Sequence, residues 1–131
     1  DAAAAMHNLA AGLFGASARE MTRIVTLMGG SAENVAWLPG VGDQYVTCAG
    51  GRTIRLGRLL GAGLTYTEAV LEMAGETLEG AYVIKQLAKA LPVWEASGLL
   101  AAAELPLLRM LCRVIVEEAP VEIPFDGLFP R

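Results

Sequence analysis

The sequence predicts an all-α domain, and three observations carry that expectation. Apolar residues recur at helical spacing along most long segments. No stretch alternates apolar and polar residues with the two-residue period of a strand. Gly and Pro cut the chain into helix-sized pieces. At 131 residues the chain has the length of one domain with room for a real core, so residues 1–131 are read as a single unit.

The elements follow in order. Ala2–Met28 is the longest helical candidate, with Leu13, Ser17, Glu20, Ile24 and Leu27 along one line. Its apolar residues run nearly all round, which predicts a buried central helix. Arg19, Arg23 and Thr26 form its one polar stripe, read as a solvated strip. Asn8 is expected to cap the helix start. Gly29-Gly30 stops it, and Ser31 is a good N-cap for a short helix Ser31–Leu38 ending at Pro39. Trp37 is expected in the core. Gly51–Leu60 reads as a helix stopped by Gly61 and Gly63. Thr65-Tyr66-Thr67-Glu68 has capping-box spacing, and the next helix puts Tyr66, Ala69, Val70 and Met73 on one face before Gly75. Glu79–Leu91 buries Ala81, Ile84, Leu87, Ala88 and Leu91, exposes Lys85 and Lys89, and closes at Pro92. Val93–Leu105 is expected to be helical. Pro106 opens the last long helix, with Leu107, Leu108, Leu111, Val114 and Ile115 inside and Arg109, Arg113 and Glu117 outside. Residues 125–129 are expected to pack as a short apolar turn.

Composition narrows the function. Apolar residues make up 54% and charged ones 18%, and mean hydropathy is +0.46. That is greasy for a free-standing domain. A membrane span needs about 20 consecutive apolar residues, and the longest uncharged run, Ala2–Ala18, is broken by His7, Asn8, Gly12, Gly15 and Ser17. No transmembrane segment is expected. The preferred explanation is apolar surface covered by another domain or a second subunit. A net charge of -4 with pI near 4.9 argues against nucleic acid as the main ligand. Cys48 and Cys112 make no disulfide framework and suit a reducing cytoplasm. Cys48 is read as a small buried hydrophobe and His7 as solvent-exposed. No basic stretch precedes an apolar one, so no signal peptide is expected. The start at Asp1, without Met, is what a fragment would show.

One loop concentrates the chemistry: Pro39–Gly57, PGVGDQYVTCAGGRTIRLG. Asp43 and Thr47 are four apart and share a face if that piece is helical. Arg52 and Arg55 follow Gly50-Gly51, where a helix could start. Backbone N–H groups and guanidinium groups there suit an oxyanion or phosphate. Elsewhere there is no Gly-rich dinucleotide fingerprint between a strand and a helix. No His/Cys/carboxylate cluster has metal-ligand spacing, so no metal is expected.

The order Asn8, Glu20-Met21, Gly29-Gly30, Gly40-Val41-Gly42-Asp43, Thr47-Cys48, Gly50-Gly51-Arg52, Gly57, Leu60-Gly61, Gly63 and Glu79-Gly80 resembles the C-terminal helical domain of NAD(P)-dependent glycerol-3-phosphate dehydrogenase, within the wider 6-phosphogluconate-dehydrogenase-like type. The likeness runs over about residues 1–91 and thins beyond, where a helical stretch near 93–104 reads as inserted. The resemblance implies a two-domain cytoplasmic enzyme of glycerophospholipid precursor supply. Its own N-terminal Rossmann domain binds NAD or NADP, and the helical domain completes the site for a small phosphorylated substrate and carries a homodimer contact. The reaction it implies reduces dihydroxyacetone phosphate to sn-glycerol 3-phosphate. A Lys acid would lie just before Asp1, and the chain alone would be inactive.

Carried over singly, Asp43 matches the active-site Asp that holds that Lys. Thr47 matches a Thr bonding the substrate or the Lys network. Arg52 matches the Arg that reaches substrate phosphate and cofactor. Gly51 and Thr53 flank it in the substrate loop. Thr77 and Glu79 match positions at the adenosine end of the cofactor. Departures accompany the match. Thr53 stands where the pattern has a phosphate-binding Asn, and a lost hydrogen bond to a charged group costs on the order of 1.5–3 kcal/mol. Gly51 replaces a Ser, Gln44 a Leu, and Gly15-Ala16-Ser17 a Thr-Arg-Gly. Two other readings stay open: a diverged dehydrogenase for another phosphorylated or carboxylated 2-hydroxy compound, and a non-catalytic dimerisation module in which Asp43 is a plain helix cap.

Overall fold

A computed structural model describes residues 2–129, and the side chains from residue 6 onward. Asp1, just before which the resemblance places the Lys acid, lies outside the described residues. All described elements are helical and none is a strand. No described helix is long and apolar enough to cross a membrane. The chain divides into two compact units, Asp1–Tyr45 and Val46–Arg131.

The first unit is α1 (Ala2–Leu27), α2 (Ala32–Val35), a single π-helical turn (Leu38–Gly42) and the start of α3 (Asp43–Ala49). Ser31 caps α2 as expected, its hydroxyl accepting from Glu33 N–H. Ala36 and Trp37 interrupt the expected Ser31–Leu38 helix. Pro39 then sits inside the π turn rather than ending a helix. Gly40 is buried there, and a Cβ would lie 2.0 Å from the Val35 carbonyl oxygen, so only glycine fits. Three further expectations fail in this unit. Asn8 cannot cap α1, which is already helical from Ala2. α1 is not a buried central helix: of its described side chains only Ala16 is fully buried, since within its own unit it packs on short elements, α2 and the π turn. Trp37 is 67% exposed, since the extended backbone at this residue turns it outward. His7 is exposed, as expected.

In the second unit α4 (Arg52–Gly61) packs on α5 (Tyr66–Glu72), α6 (Glu79–Ala96) packs on α7 (Pro106–Val116), and α7 also meets α5 and α8 (Phe125–Leu128). The core centres on α7. Pro106 starts it, and Leu107, Leu108, Met110, Cys112, Val114 and Ile115 are buried. Each large apolar side chain so buried contributes about 1.5–3 kcal/mol. Leu111 is only half-buried, and Met110 and Cys112 take core places that the expected face omitted. Arg113 and Glu117 are exposed as expected. Ala69 and Met73, 0% and 2% exposed, hold α5 against this core, whereas Val70 on the expected face is exposed.

Local signals read correctly here too. Thr65 and Glu68 form the reciprocal capping box. α6 buries Ala81 and Leu91 and half-buries Ile84, Leu87 and Ala88, with Lys85 and Lys89 exposed. Pro92, however, does not close α6, which runs on to Ala96. An interior Pro removes one backbone bond, but half-buried Trp94 carries the apolar face past it. The chain from Ser97 to Leu105 is then irregular, not helical. Arg109 fastens this loop: Nε donates to the Glu104 carbonyl at 2.7 Å, Nη2 donates to Ala101 at 3.3 Å, and Nη1 pairs with Glu95 at 2.5 Å. So Arg109, expected outside, is half-buried.

Glu118, beyond α7, has a left-handed backbone with φ 58°. Its carboxylate accepts from Thr67 N–H at 3.1 Å and Thr67 Oγ1 at 2.6 Å, in the first turn of α5. These bonds from Thr67 hold the Glu118 pKa below its ordinary value of 4.5. A carboxylate with a lowered folded pKa adds stability above its unfolded pKa and loses it as pH falls through the folded value.

Two outcomes follow for denaturant unfolding. Met73→Ala lowers the unfolding free energy by about 2–5 kcal/mol. Glu118→Gln destabilises the chain at neutral pH, and its difference from the parent vanishes as pH is taken down through the lowered Glu118 pKa.

Candidate functional site: two helix starts and a free carboxylate

The helix starts arise from the sequence locally. Gly51 is the N-cap of α4 with φ 99°, a left-handed conformation that other residues rarely adopt. It offers no side-chain cap, so the first N–H groups of this ten-residue helix stay open. Arg52 and Thr53 are its first two residues, and both are exposed. The Arg52 guanidinium has no protein partner among the described residues. Arg55, one turn on, is committed: Nη1 pairs with Glu76 and Nη2 donates to the Glu72 carbonyl at 3.2 Å. Of the two arginines read as anion ligands, Arg52 alone remains available.

The second start is that of α6. Leu78 is its N-cap and supplies no capping bond either. Thr77 and Glu79 lie on either side of Leu78, both exposed. The Arg55–Glu76 pair joins the first turn of α4 to the residue preceding Thr77. So Gly51, Arg52, Thr53, Thr77 and Glu79 belong to one unit and to two connected helix starts.

Asp43 belongs to the first unit. It opens α3 and is exposed, and its carboxylate bonds to no described residue. Thr47 lies one turn further along the same helix and is half-buried. α3 buries none of its side chains. That is why Cys48, expected to be buried, is exposed. Cys112 is the buried thiol, with its pKa pushed up by desolvation. Beside Asp43, Gln44 makes a link that sequence reasoning missed. Its Nε2 donates to Ser17 Oγ and to the Phe14 carbonyl at 3.4 Å, while its own Oε1 is buried without a partner. Gln44 and Ser17 were noted separately as departures from the family pattern. They are hydrogen-bonded to each other, a pairing across 27 residues that no local signal announces.

The donor set can be judged against a dinucleotide and a phosphorylated substrate. A free guanidinium and open backbone N–H groups donate to phosphate oxygens. Thr47, Thr53 and Thr77 each offer a hydroxyl, and the Glu79 carboxylate can accept from ribose hydroxyls. The residues present fit those groups. No cluster of three or more His, Cys, Asp or Glu among the described residues could hold a metal ion.

Fold and donor set define a class: an all-α domain whose exposed helix starts suit an anionic ligand. The sequence profile described as NAD-dependent glycerol-3-phosphate dehydrogenase C-terminus matches residues 1–125. The chain belongs to that family. The match extends well past residue 91, so the later helices are part of the family domain rather than poorly related sequence. Relatives named glycerol-3-phosphate dehydrogenase (NAD(P)+) include one from Nitrosomonas europaea, 30% identical over 129 residues, covering 95% of this chain and 36% of the relative. Another, from Bacillus pumilus, is 34% identical over 129 residues, covering 95% and 34%. A third, from Phytoplasma australiense, is 33% identical over 114 residues, covering 86% and 32%. The chain spans about a third of the length of the curated relatives it matches. No solved structure matches it significantly.

Thiol chemistry provides a direct check on the geometry. A charged alkylating reagent is expected to modify the native chain at Cys48 only, with Cys112 reacting after denaturation. Mass spectrometry of the two peptides reads the result.

Proposed function

We propose that this chain is the substrate-binding half of an NAD(P)-dependent glycerol-3-phosphate dehydrogenase acting in the cytoplasm on dihydroxyacetone phosphate. Its product, sn-glycerol 3-phosphate, is a glycerophospholipid precursor. A Rossmann domain of the same protein binds NAD or NADP, which supplies or accepts the hydride when bound. Arg52 and the open α4 start hold the substrate phosphate, with Thr53 donating one hydrogen bond where the family pattern has an amide. Gly51 permits that approach. Asp43 holds and tunes the Lys that protonates the carbonyl oxygen, and Thr47 bonds the substrate or that Lys. Thr77 and Glu79 meet the adenosine end of the dinucleotide. The homodimer contact and the partner domain cover apolar side chains such as Trp37 and Leu71, which are 67% and 72% exposed in the chain alone.

The observation that carries this reading is the unspent guanidinium. Arg52 stands exposed at an uncapped helix start, while Arg55 beside it is tied down by Glu76. A carboxylate that bonds to no described residue, Asp43, supports a chemical role over a plain cap. Thr53 favours one alternative, a relative taking another phosphorylated or carboxylated 2-hydroxy compound.

The test uses the complete protein carrying this chain. Oxidation of NADH or NADPH with dihydroxyacetone phosphate is expected, and Arg52→Glu raises the KM for that substrate by about 100-fold or more, the loss of a charge-assisted phosphate contact made worse by repulsion. An unchanged KM contradicts the role of Arg52. Turnover only with another 2-hydroxy or keto acid in a substrate panel selects the alternative. The isolated chain shows no turnover.

A further inference from the structure

We propose that Arg55 is a positioning residue for the dinucleotide end of the site, acting through Glu76 on Thr77 and Glu79. The inference rests on the functional reading above, in which Thr77 and Glu79 face the cofactor.

The connection between α5 and α6 has little to hold it. Met73 caps α5, Gly75 turns with φ 83°, and Glu76 N–H bonds back to the Met73 carbonyl at 3.0 Å. Glu76 is half-buried, but Thr77 is exposed and Leu78 gives α6 no side-chain cap. Helix starts are usually fixed by such a cap. Here the fixing bonds come from another helix. One Arg55 guanidinium reaches both ends of the connection, pairing with the Glu76 carboxylate and donating to the Glu72 carbonyl in the last turn of α5. A planar guanidinium with two acceptors at set angles defines direction as well as distance. Since Arg55 lies on α4 one turn after Arg52, the bond sets the Thr77–Glu79 segment relative to the helix that carries Arg52.

Direct ligation of phosphate by Arg55 is the competing role. Both outer nitrogens already donate to protein acceptors, one of them an anion, so a phosphate would have to displace Glu76. The charged neighbours leave that balance in place. Arg52 and Arg58 share α4, Glu68 is occupied by the Thr65 capping box, and Glu79 opens α6.

The experiment compares Arg55→Gln, Arg55→Lys, Glu76→Ala and the reversed pair Arg55→Glu/Glu76→Arg in the complete protein carrying this chain. Three readouts are taken: amide hydrogen exchange across residues 74–80, NADH or NADPH affinity by fluorescence, and the KM for dihydroxyacetone phosphate. Arg55→Gln and Glu76→Ala are expected to speed exchange and weaken the dinucleotide by about fivefold, the upper size for an exposed ion pair. The substrate KM stays within about twofold, in keeping with that same modest energy. Arg55→Lys falls between, and the reversed pair recovers part of both losses. Exchange that does not change, or faster exchange with unchanged dinucleotide affinity, overturns the proposal. So does a raised substrate KM with dinucleotide affinity intact, which makes Arg55 a phosphate ligand. A parent protein that binds no dinucleotide refutes the functional reading, and the inference with it. A parent that binds dinucleotide but ignores dihydroxyacetone phosphate refutes only the substrate, because exchange and dinucleotide affinity still decide the role of Arg55.

Discussion

Burial of α7 is the constraint on which the second unit depends. Its apolar residues run too far round the helix to be covered from one side. α5, α6 and α8 therefore pack against it. The polar residues at and beyond its edges then tie the surrounding chain to it. Arg109 holds the loop that follows α6, and Glu118 caps the first turn of α5. A continuous apolar face at α6 explains the tolerance of Pro92. Losing one backbone bond costs less than breaking the helix between two side chains that pack, Leu91 and Trp94.

That arrangement places the buried core and the candidate site on different parts of the unit. The buried residues lie mainly on α7 and the faces turned to it, while Arg52, Thr53, Thr77 and Glu79 are exposed at helix starts. Neither start spends a side chain on capping. The N–H groups left open have a cost in the free chain that water offsets, and an anionic ligand can take their place. The same separation accounts for the apolar composition. Large side chains such as Trp37 and Leu71 remain exposed outside that core, the kind of surface that the proposed partner domain and second subunit would cover.

What the sequence made legible was local. The Ser31 cap, the Thr65–Glu68 box, Pro106 at a first helical turn and Gly51 before α4 are each written within four residues, and each was found where expected. The errors lie where coverage by other elements decides. Trp37 and Cys48 have the chemistry of core residues but sit on elements that bury little. α1 has an apolar sequence, but within its own unit it meets only short elements that cover little of it. The site followed the same division. Asp43, Thr47 and Arg52 stood out by motif, whereas nothing in the sequence separated Arg52 from Arg55. Only the Glu76 partner, 21 residues away, shows that one arginine is engaged and the other free. The Gln44–Ser17 bond was invisible for the same reason: both residues looked like isolated departures until the fold joined them.

The central claim is that this chain supplies working residues to a dehydrogenase rather than a relic of them, and Asp43 tests it most directly. Its carboxylate bonds to no described residue, so Asp43→Asn changes charge while removing no described hydrogen bond. In the complete protein the measurement is kcat with dihydroxyacetone phosphate beside dinucleotide affinity. A fall in kcat of up to about 10²- to 10⁴-fold, the usual worth of the general acid that Asp43 is proposed to hold in place, with dinucleotide binding retained, is the predicted result. An unchanged kcat would contradict the account and leave the loop a structural remnant.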